Sequence, residues 1–321
     1  MAGTGRDRLP GAGRRILARM DSDNELGAFL MSRRARVSPA AAGLTSHGRR
    51  RVPGLRREEV AELAGVSAVY YTRLEQGRAL HPSGAVLDAL ARVLRLGATE
   101  RAHLHDLVRR GRVRRSAGSA ADAGEPAPAV PVRDGLRRLL AAVGAVGAVP
   151  AYILSPAMDV LDANDPARAL IGAPGPAAGG RPNLARHVFA DPAARERYPQ
   201  WEDVARQTAG FLRLSSGRLP GDLPLARLVA ELSALSTEFR TLWAMQEVRE
   251  KTHGTKCFRH PVVGAFALTY ETLTLPGDER RSLVVFTAPD ARADTALRLL
   301  GSWTATAPAH THTGHLGNGS A

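Results

Sequence analysis

The sequence predicts a multidomain protein: an all-α domain of five helices carrying a helix-turn-helix, then an α+β domain with strands first and last and helices between. Three observations carry this reading. Residues 54–77, GLRREEVAELAGVSAVYYTRLEQG, have the pattern of two short helices joined by a tight turn. Residues 112–131, RVRRSAGSAADAGEPAPAVP, are small, Pro-containing and without apolar period, as a linker is. Beyond them TKCFRHP, GAFALTYETLTL and SLVVFTA are rich in β-branched and aromatic residues, as strands are. The expected boundaries are a disordered basic tail at 1–22, the helical domain at 23–111, the linker at 112–131, the α+β domain at 132–302 and a disordered tail at 303–321.

In chain order, the first helix is expected over 24–36, with Leu26, Phe29 and Leu30 on one face and three arginines at the end where the helix dipole favours cations. Met20 is an alternative start. The stretch VSPAAAGLTSHGRRRVPG is broken by Pro39, Gly43, Gly48, Pro53 and Gly54 and gathers Arg49, Arg50 and Arg51 just before the next helix. That helix, 56–64, places Val60, Leu63 and Ala64 at spacings of three and four, with Ala61 small enough for a close helix crossing. Gly65 is the left-handed stop and Ser67 the cap of the second helix. In that helix Val66, Tyr71 and Leu74 turn inward, which leaves Ala68, Val69, Thr72, Arg73 and Gln76 outside.

Two more helices complete the domain, one after Pro82 closed by Gly97 and one from Thr99 with Leu104, Leu107 and Val108 apolar. His103 and His105 face different sides of the last, so both are packing or surface residues rather than joint metal ligands. In the second domain VRDGLRRLLAAVG is an amphipathic helix, and PAYILSPAMDVLDAN gives two short strands around Ser155 and Pro156. Asp165 is expected to cap a helix through Leu170, and residues 183–217 to form two helices broken near Pro192 and Pro199. Helices at 222–234 and 236–249, the three strands, and a last helix at 291–300 follow.

Charge separates the halves. Residues 1–120 hold 23 basic and 11 acidic residues, a net +12 of the chain's +13. Such a field attracts a polyanion, whose phosphates supply sequence-independent affinity. One cysteine, Cys257, excludes an internal disulfide framework and a Cys-rich zinc site. No apolar run reaches the length of about 18 residues that a membrane span needs, and the basic start lacks a signal-peptide core. The expected location is the cytoplasm, with no membrane and no cofactor. Only two lysines accompany 42 arginines, which points to a GC-rich coding sequence.

These motifs carry a family resemblance. RRRVPGLRREEVAELAGVSAVYYTRLEQGR and HPSGAVLDALARVL resemble an XRE-type helix-turn-helix, and PAYIL, DVLDAN, NLARHVFADPAAR, ELSALSTEFRTLWA and RHPVVG resemble an MmyB-like ligand-binding domain, together over about residues 24–300. The resemblance implies a PAS-like second domain, a small antiparallel sheet with covering helices around an apolar cavity, and a fatty-acid-like ligand. Two residues depart from it: Arg57 stands where the family often has Gln, and Ala163 where it commonly has an aromatic residue.

The functional expectation is a non-enzymatic transcriptional regulator that binds double-stranded DNA, on an inverted repeat as a homodimer. The second helix of the motif is assigned to the major groove. Ala68, Val69, Thr72 and Arg73 are assigned to base edges, and Arg49, Arg50, Arg51, Arg56, Arg57, Ser67 and Tyr70 to phosphates. For the ligand, Tyr152, Leu161, Phe189, Trp201, Phe211, Trp243 and Phe266 mark an apolar cavity, though each is more readily a core residue; His260 is a polar head-group contact or equally a structural histidine, and Asn164 and Asn183 are caps as readily as ligands. Two rivals stay open. The second domain is a dimerisation or protein-interaction module, or it is an enzyme using Asp159, His187 or His260; against the latter stands the lack of a phosphate loop or nucleophile elbow. His310, His312 and His315 in the Gly/Thr-rich tail offer at most a stray metal site.

Overall fold

The computed structural model describes residues 25–44, 53–79, 82–116, 131–145, 148–172 and 181–306. The chain forms two compact units, Met1–Ala127 with Ala205–Glu250, and Pro128–Val204 with Lys251–Ala321. Residues 205–250, expected within the second domain, therefore cluster with the N-terminal helices.

In the first unit α1 (Glu25–Arg36) leads to a short 3-10 turn at Ala40–Ala42, inside a stretch expected to be wholly irregular. Then come α2 (Arg57–Ala64), α3 (Ala68–Glu75), α4 (Gly84–Val93) and α5 (Ala98–Ser116). The five expected helices are present, and α5 runs five residues into the expected linker. Their core is Phe29 and Leu30 of α1, Val60 and Ala61 of α2, Tyr71 and Leu74 of α3, Leu87 and Leu90 of α4, and Leu104 of α5. Leu63 is a correction: it is 40% exposed, and the inward face of α2 is built on Val60 and Ala61 instead. A one-residue error in helical phase is enough to turn a side chain outward. Gly54 approaches α1 so closely that a Cβ there would lie 2.6 Å from backbone atoms of Arg34 and Ala35. The stop of α4 also differs: Arg95, not Gly97, takes the left-handed conformation (φ 53°). It is held there by Arg95 N–H to Arg92 O (3.1 Å) and Leu96 N–H to Ala91 O (2.9 Å).

In the second unit α6 (Asp134–Ala145) precedes β1 (Ala151–Leu154), β2 (Val160–Ala163) and α7 (Asp165–Ile171). The residues expected as two helices form three: α8 (Leu184–Ala190), α9 (Ala193–Arg197) and α10 (Trp201–Arg218). Two prolines each end a helix, because proline lacks the N–H that would continue it. Of the next two, α11 (Leu223–Leu235) is as expected, whereas α12 (Thr237–Ala244) ends early, and Gln246 just beyond it has φ 56°. Strands β3 (His253–His260), β4 (Gly264–Leu275) and β5 (Asp278–Thr287) and helix α13 (Ala291–Thr306) close the fold. The sheet is antiparallel with order β2-β1-β5-β4-β3. One face of it packs Ala151, Ile153 and Leu283 against Val132, Leu136 and Leu140 at α6. Strand alternation gives Tyr152, Phe258, Phe266, Tyr270 and Phe286 to the other face. Asn164 rather than Asp165 caps α7, its Oδ1 accepting from Ala167 N–H at 3.1 Å. Asn183 caps α8 through Ala185 and Arg186, both at 3.0 Å. Among the described residues no helix is long and apolar enough to cross a membrane.

Candidate nucleic-acid interface and ligand site

Helices α2 and α3 meet at a turn that the backbone bonds define. Val66 N–H reaches Ala61 O at 2.9 Å and Gly65 N–H reaches Glu62 O at 3.1 Å, with Gly65 at φ 68°. That pair of bonds needs a left-handed residue, which glycine supplies without a Cβ clash. Ser67 Oγ then accepts from Tyr70 N–H at 3.1 Å and starts α3 two residues later. Stop and start so close fix the angle between the helices.

The inner side of α3 is pinned by a buried carboxylate. Glu75 is 2% exposed and accepts from Arg34 Nε (2.7 Å) and Arg57 Nε (2.6 Å), while Arg34 Nη1 also donates to Leu55 O (2.8 Å). Burial pushes the carboxyl up, and the hydrogen bonds from Arg34 and Arg57 override it and hold the group below its ordinary range. Arg57, expected on phosphate, thus commits one nitrogen to the core of the motif and keeps a half-exposed side chain outside. The outer side holds what the sequence placed there. Val69 is 64% exposed, Arg73 is exposed, and Ala68 and Thr72 are partly so. Arg73 pairs with no acid among the described residues. Arg56 and Ser67 are exposed at the helix starts, whereas the ring of Tyr70 packs partly against the bundle core. Arg49, Arg50 and Arg51 lie outside the described residues.

The same unit joins α1 to the segment after α12. Ser32 Oγ donates to Met245 O (3.0 Å), Arg33 Nη2 to Gln246 O (2.8 Å) and Arg36 Nη2 to Met245 O (2.6 Å). Behind them His103 is buried edge-on to Phe29, and burial, then the nearby Arg213, pulls its pKa down to about 3. A Cβ at Gly217 would lie 2.6 Å from the His103 ring. His105 bonds instead to Asp88, so the two histidines serve separate packing roles.

The residues expected to line one ligand cavity are not brought together. Phe211 and Trp243 belong to the first unit, where Trp243 stacks on Phe239 (5.4 Å) under Arg213 (3.8 Å). Leu161 packs with the α6 core, on the face away from Tyr152. Phe189 and Trp201 form their own edge-to-face pair at 6.4 Å, with Arg195 over the indole at 3.8 Å. His260 is buried and its Nδ1 accepts from Val262 N–H (3.2 Å) at the β3–β4 turn. Asp159, His187 and His260, the residues of the enzyme reading, each have bonds of their own. Asp159 is held by Ser155 (2.9 Å) and Asn183 (2.8 Å), and His187 Nδ1 meets Asp191 at 2.8 Å.

Tyr152 and Phe266 do share a site, with partners that the sequence reading missed. Rings run along the second face of the sheet: Tyr152–Phe286 at 5.7 Å, Tyr270–Phe286 at 6.0 Å, Phe258–Phe286 and Phe258–Phe266 at 5.9 Å. Tyr198, at the end of α9, covers Phe258 at 5.8 Å and meets His187 at 5.7 Å. Lys256 rises into this layer with its ammonium 4.5 Å from the Tyr198 ring centre. One signal was available: the only two lysines of the chain, Lys251 and Lys256, fall within six residues of each other. Separately, a cleft of about 430 Å³ opens between α6 and α7, lined by Arg137, Ala141, Gly144, Asp162, Ala163 and Arg168. Ala163, where the family commonly has an aromatic residue, lies on its wall.

Comparison with known families fits both regions. Residues 132–300 match the MmyB-like transcription regulator ligand binding domain, and residues 25–104 match a helix-turn-helix domain. No match was found among curated proteins. With more than half its length in that ligand-binding domain and a helix-turn-helix before it, the chain belongs to the MmyB-like transcription regulators.

Proposed function

We propose that this regulator is of the XRE type and non-enzymatic, works in the cytoplasm, binds an inverted-repeat operator as a homodimer, and changes its DNA affinity when its second domain takes up a small apolar molecule. The observation that carries the DNA reading is the outward face of α3, where Val69 and Arg73 are exposed on a helix fixed from behind by the buried Glu75. A rigid helix with its donors turned to solvent suits the major groove, about 12 Å wide. Arg73 is the candidate for a bidentate contact to guanine, with Ala68, Val69 and Thr72 beside it. Arg56, Arg57, Ser67 and Tyr70, together with Arg49, Arg50 and Arg51, are the candidates for phosphates. One motif reads few base pairs, so two related by a twofold axis supply the specificity.

The link to sensing is supported by the bonds from Ser32, Arg33 and Arg36 to the carbonyls of Met245 and Gln246. Those carbonyls belong to the family's ligand-binding region, and the donors to the first helix of the DNA-binding bundle. A ligand that shifts residues 245–246 acts directly on that helix, provided it prefers one arrangement over the other.

Selecting bound fragments from the genome of origin tests the reading. Enrichment of a palindromic sequence is expected, lost or broadened with Arg73→Ala. Enrichment of none would refute site-specific binding. Native mass spectrometry of the purified chain tests sensing: a co-purified small molecule supports it, and an empty, tightly packed domain argues for an interaction module.

A further inference from the structure

Resting on the reading that the chain acts as a homodimer, we propose that two copies meet through the open half of the sheet face that α6 only partly covers, with Arg259 of each copy set beside Glu271 of the other. Helix α6 packs on the β1–β5 side of this face, over Ile153 and Leu283. The pairing register carries the same face onward to Cys257 and Arg259 of β3 and to Ala265, Ala267, Glu271 and Leu273 of β4. None of these six is buried, and Leu273 is 49% exposed. A sheet face kept for water alternates in long polar side chains, whereas this one carries alanine, cysteine and leucine. Such low side chains let a second sheet approach to the usual distance of about 10 Å. Two of its threonines are already satisfied: the hydroxyls of Thr269 and Thr287 meet at 2.7 Å, so covering them leaves no donor unmade.

Charge names the occupant. Arg259 stands at one end of the face and Glu271, opposite His253 in the register, at the other. Six strand positions, about 20 Å, separate the two ends, too far for an ion pair within one copy. Among the described residues neither side chain has an ion-pair partner. A twofold axis lying between the sheets and crossing the strands reverses strand direction, so the Arg259 end of each copy falls on the Glu271 end of the other and the contact is made twice. A foreign acidic or basic surface matches only one end. The same axis passes beside Cys257, one position from the midpoint between His253 and Arg259, and brings the two copies' thiols toward each other.

Charge reversal in the full chain, read by sedimentation equilibrium, decides this. Arg259→Glu and Glu271→Arg should each weaken dimerisation at least about ten-fold, and the doubly reversed chain should return to within about three-fold of the original. Both side chains are exposed, so the variants test the contact rather than the fold. Because Cys257 is the only cysteine of the chain, a short bismaleimide should also link the unaltered dimer at that residue, and the link should be lost with either single reversal and regained with both. A dimer whose strength neither reversal changes, or one that the double reversal does not restore, would overturn this surface whatever the yield of the link, and leave the homodimer reading standing. A chain that stays monomeric throughout the accessible concentration range would overturn both.

Discussion

The outer face of α3 and the aromatic face of the sheet both present donors without protein partners, and they differ in what that costs. Arg73 is exposed and water solvates its guanidinium, so its openness costs the fold almost nothing. Lys256 is half-buried and burial lowers its pKa to about 8, so holding its charge there costs stability. Exposed donors suit a large polyanion whose phosphates are read through solvent and salt.

The largest expected effect tests whether the exposed face depends on a satisfied interior. Glu75→Ala removes the acceptor of Arg34 and Arg57 and should destabilise the helical unit by about 3–5 kcal/mol, read by urea unfolding of the full chain. Because the Glu75 carboxyl titrates lower folded than unfolded, its contribution is present above the ordinary carboxylate range and is lost as pH falls through its folded pKa. A midpoint unmoved by the substitution would break this half of the comparison.

Lys256→Met tests the other half and has the opposite sign. It should stabilise the chain by roughly 1–3 kcal/mol at pH 7, since it removes a partly buried cation that meets aromatic rings but no acid among the described residues. The folded amine loses its proton near 8 and the unfolded one near 10.5, so the cost is full below pH 8 and vanishes above 10.5. The gain in melting temperature should shrink across that interval, and a loss of stability at pH 7 would equate the two faces.

On the DNA side Arg73→Ala should cost about 1–3 kcal/mol on the best operator and flatten discrimination between operators, measured by competition binding. Arg56→Ala should produce the smallest change, weakening all sequences alike and lowering the slope of log affinity against log salt by about 1. If Arg56→Ala altered base preference, the division between base and phosphate contacts would need to be redrawn.

The helical unit was legible because its signals are local. The Gly65 stop, the Ser67 cap and the inward Tyr71 and Leu74 are all set by residues within one turn of each other. Leu63 was misread because its neighbour Ala61 serves the crossing instead, and nothing in a three-four spacing separates the two. The Glu75 network escaped notice since Arg34 and Glu75 are 41 positions apart. In the second unit the strands were readable from composition, but a site assembled by sheet order is not. Tyr152, Phe286, Tyr270 and Phe258 become neighbours only once β1, β5, β4 and β3 lie side by side. Leu161, Phe211 and Trp243 were equally aromatic or aliphatic candidates, and topology sent them elsewhere.

The scarcity of lysine turns Lys256 into a reporter. With Lys251 and Lys256 the only ε-amines in the chain, reductive methylation with ¹³C-formaldehyde would place spectroscopic labels at those two side chains and the N-terminus alone. An amine that ionises near 8 shifts its methyl resonance through the range where proteins are handled, so a change in its surroundings is read at that atom.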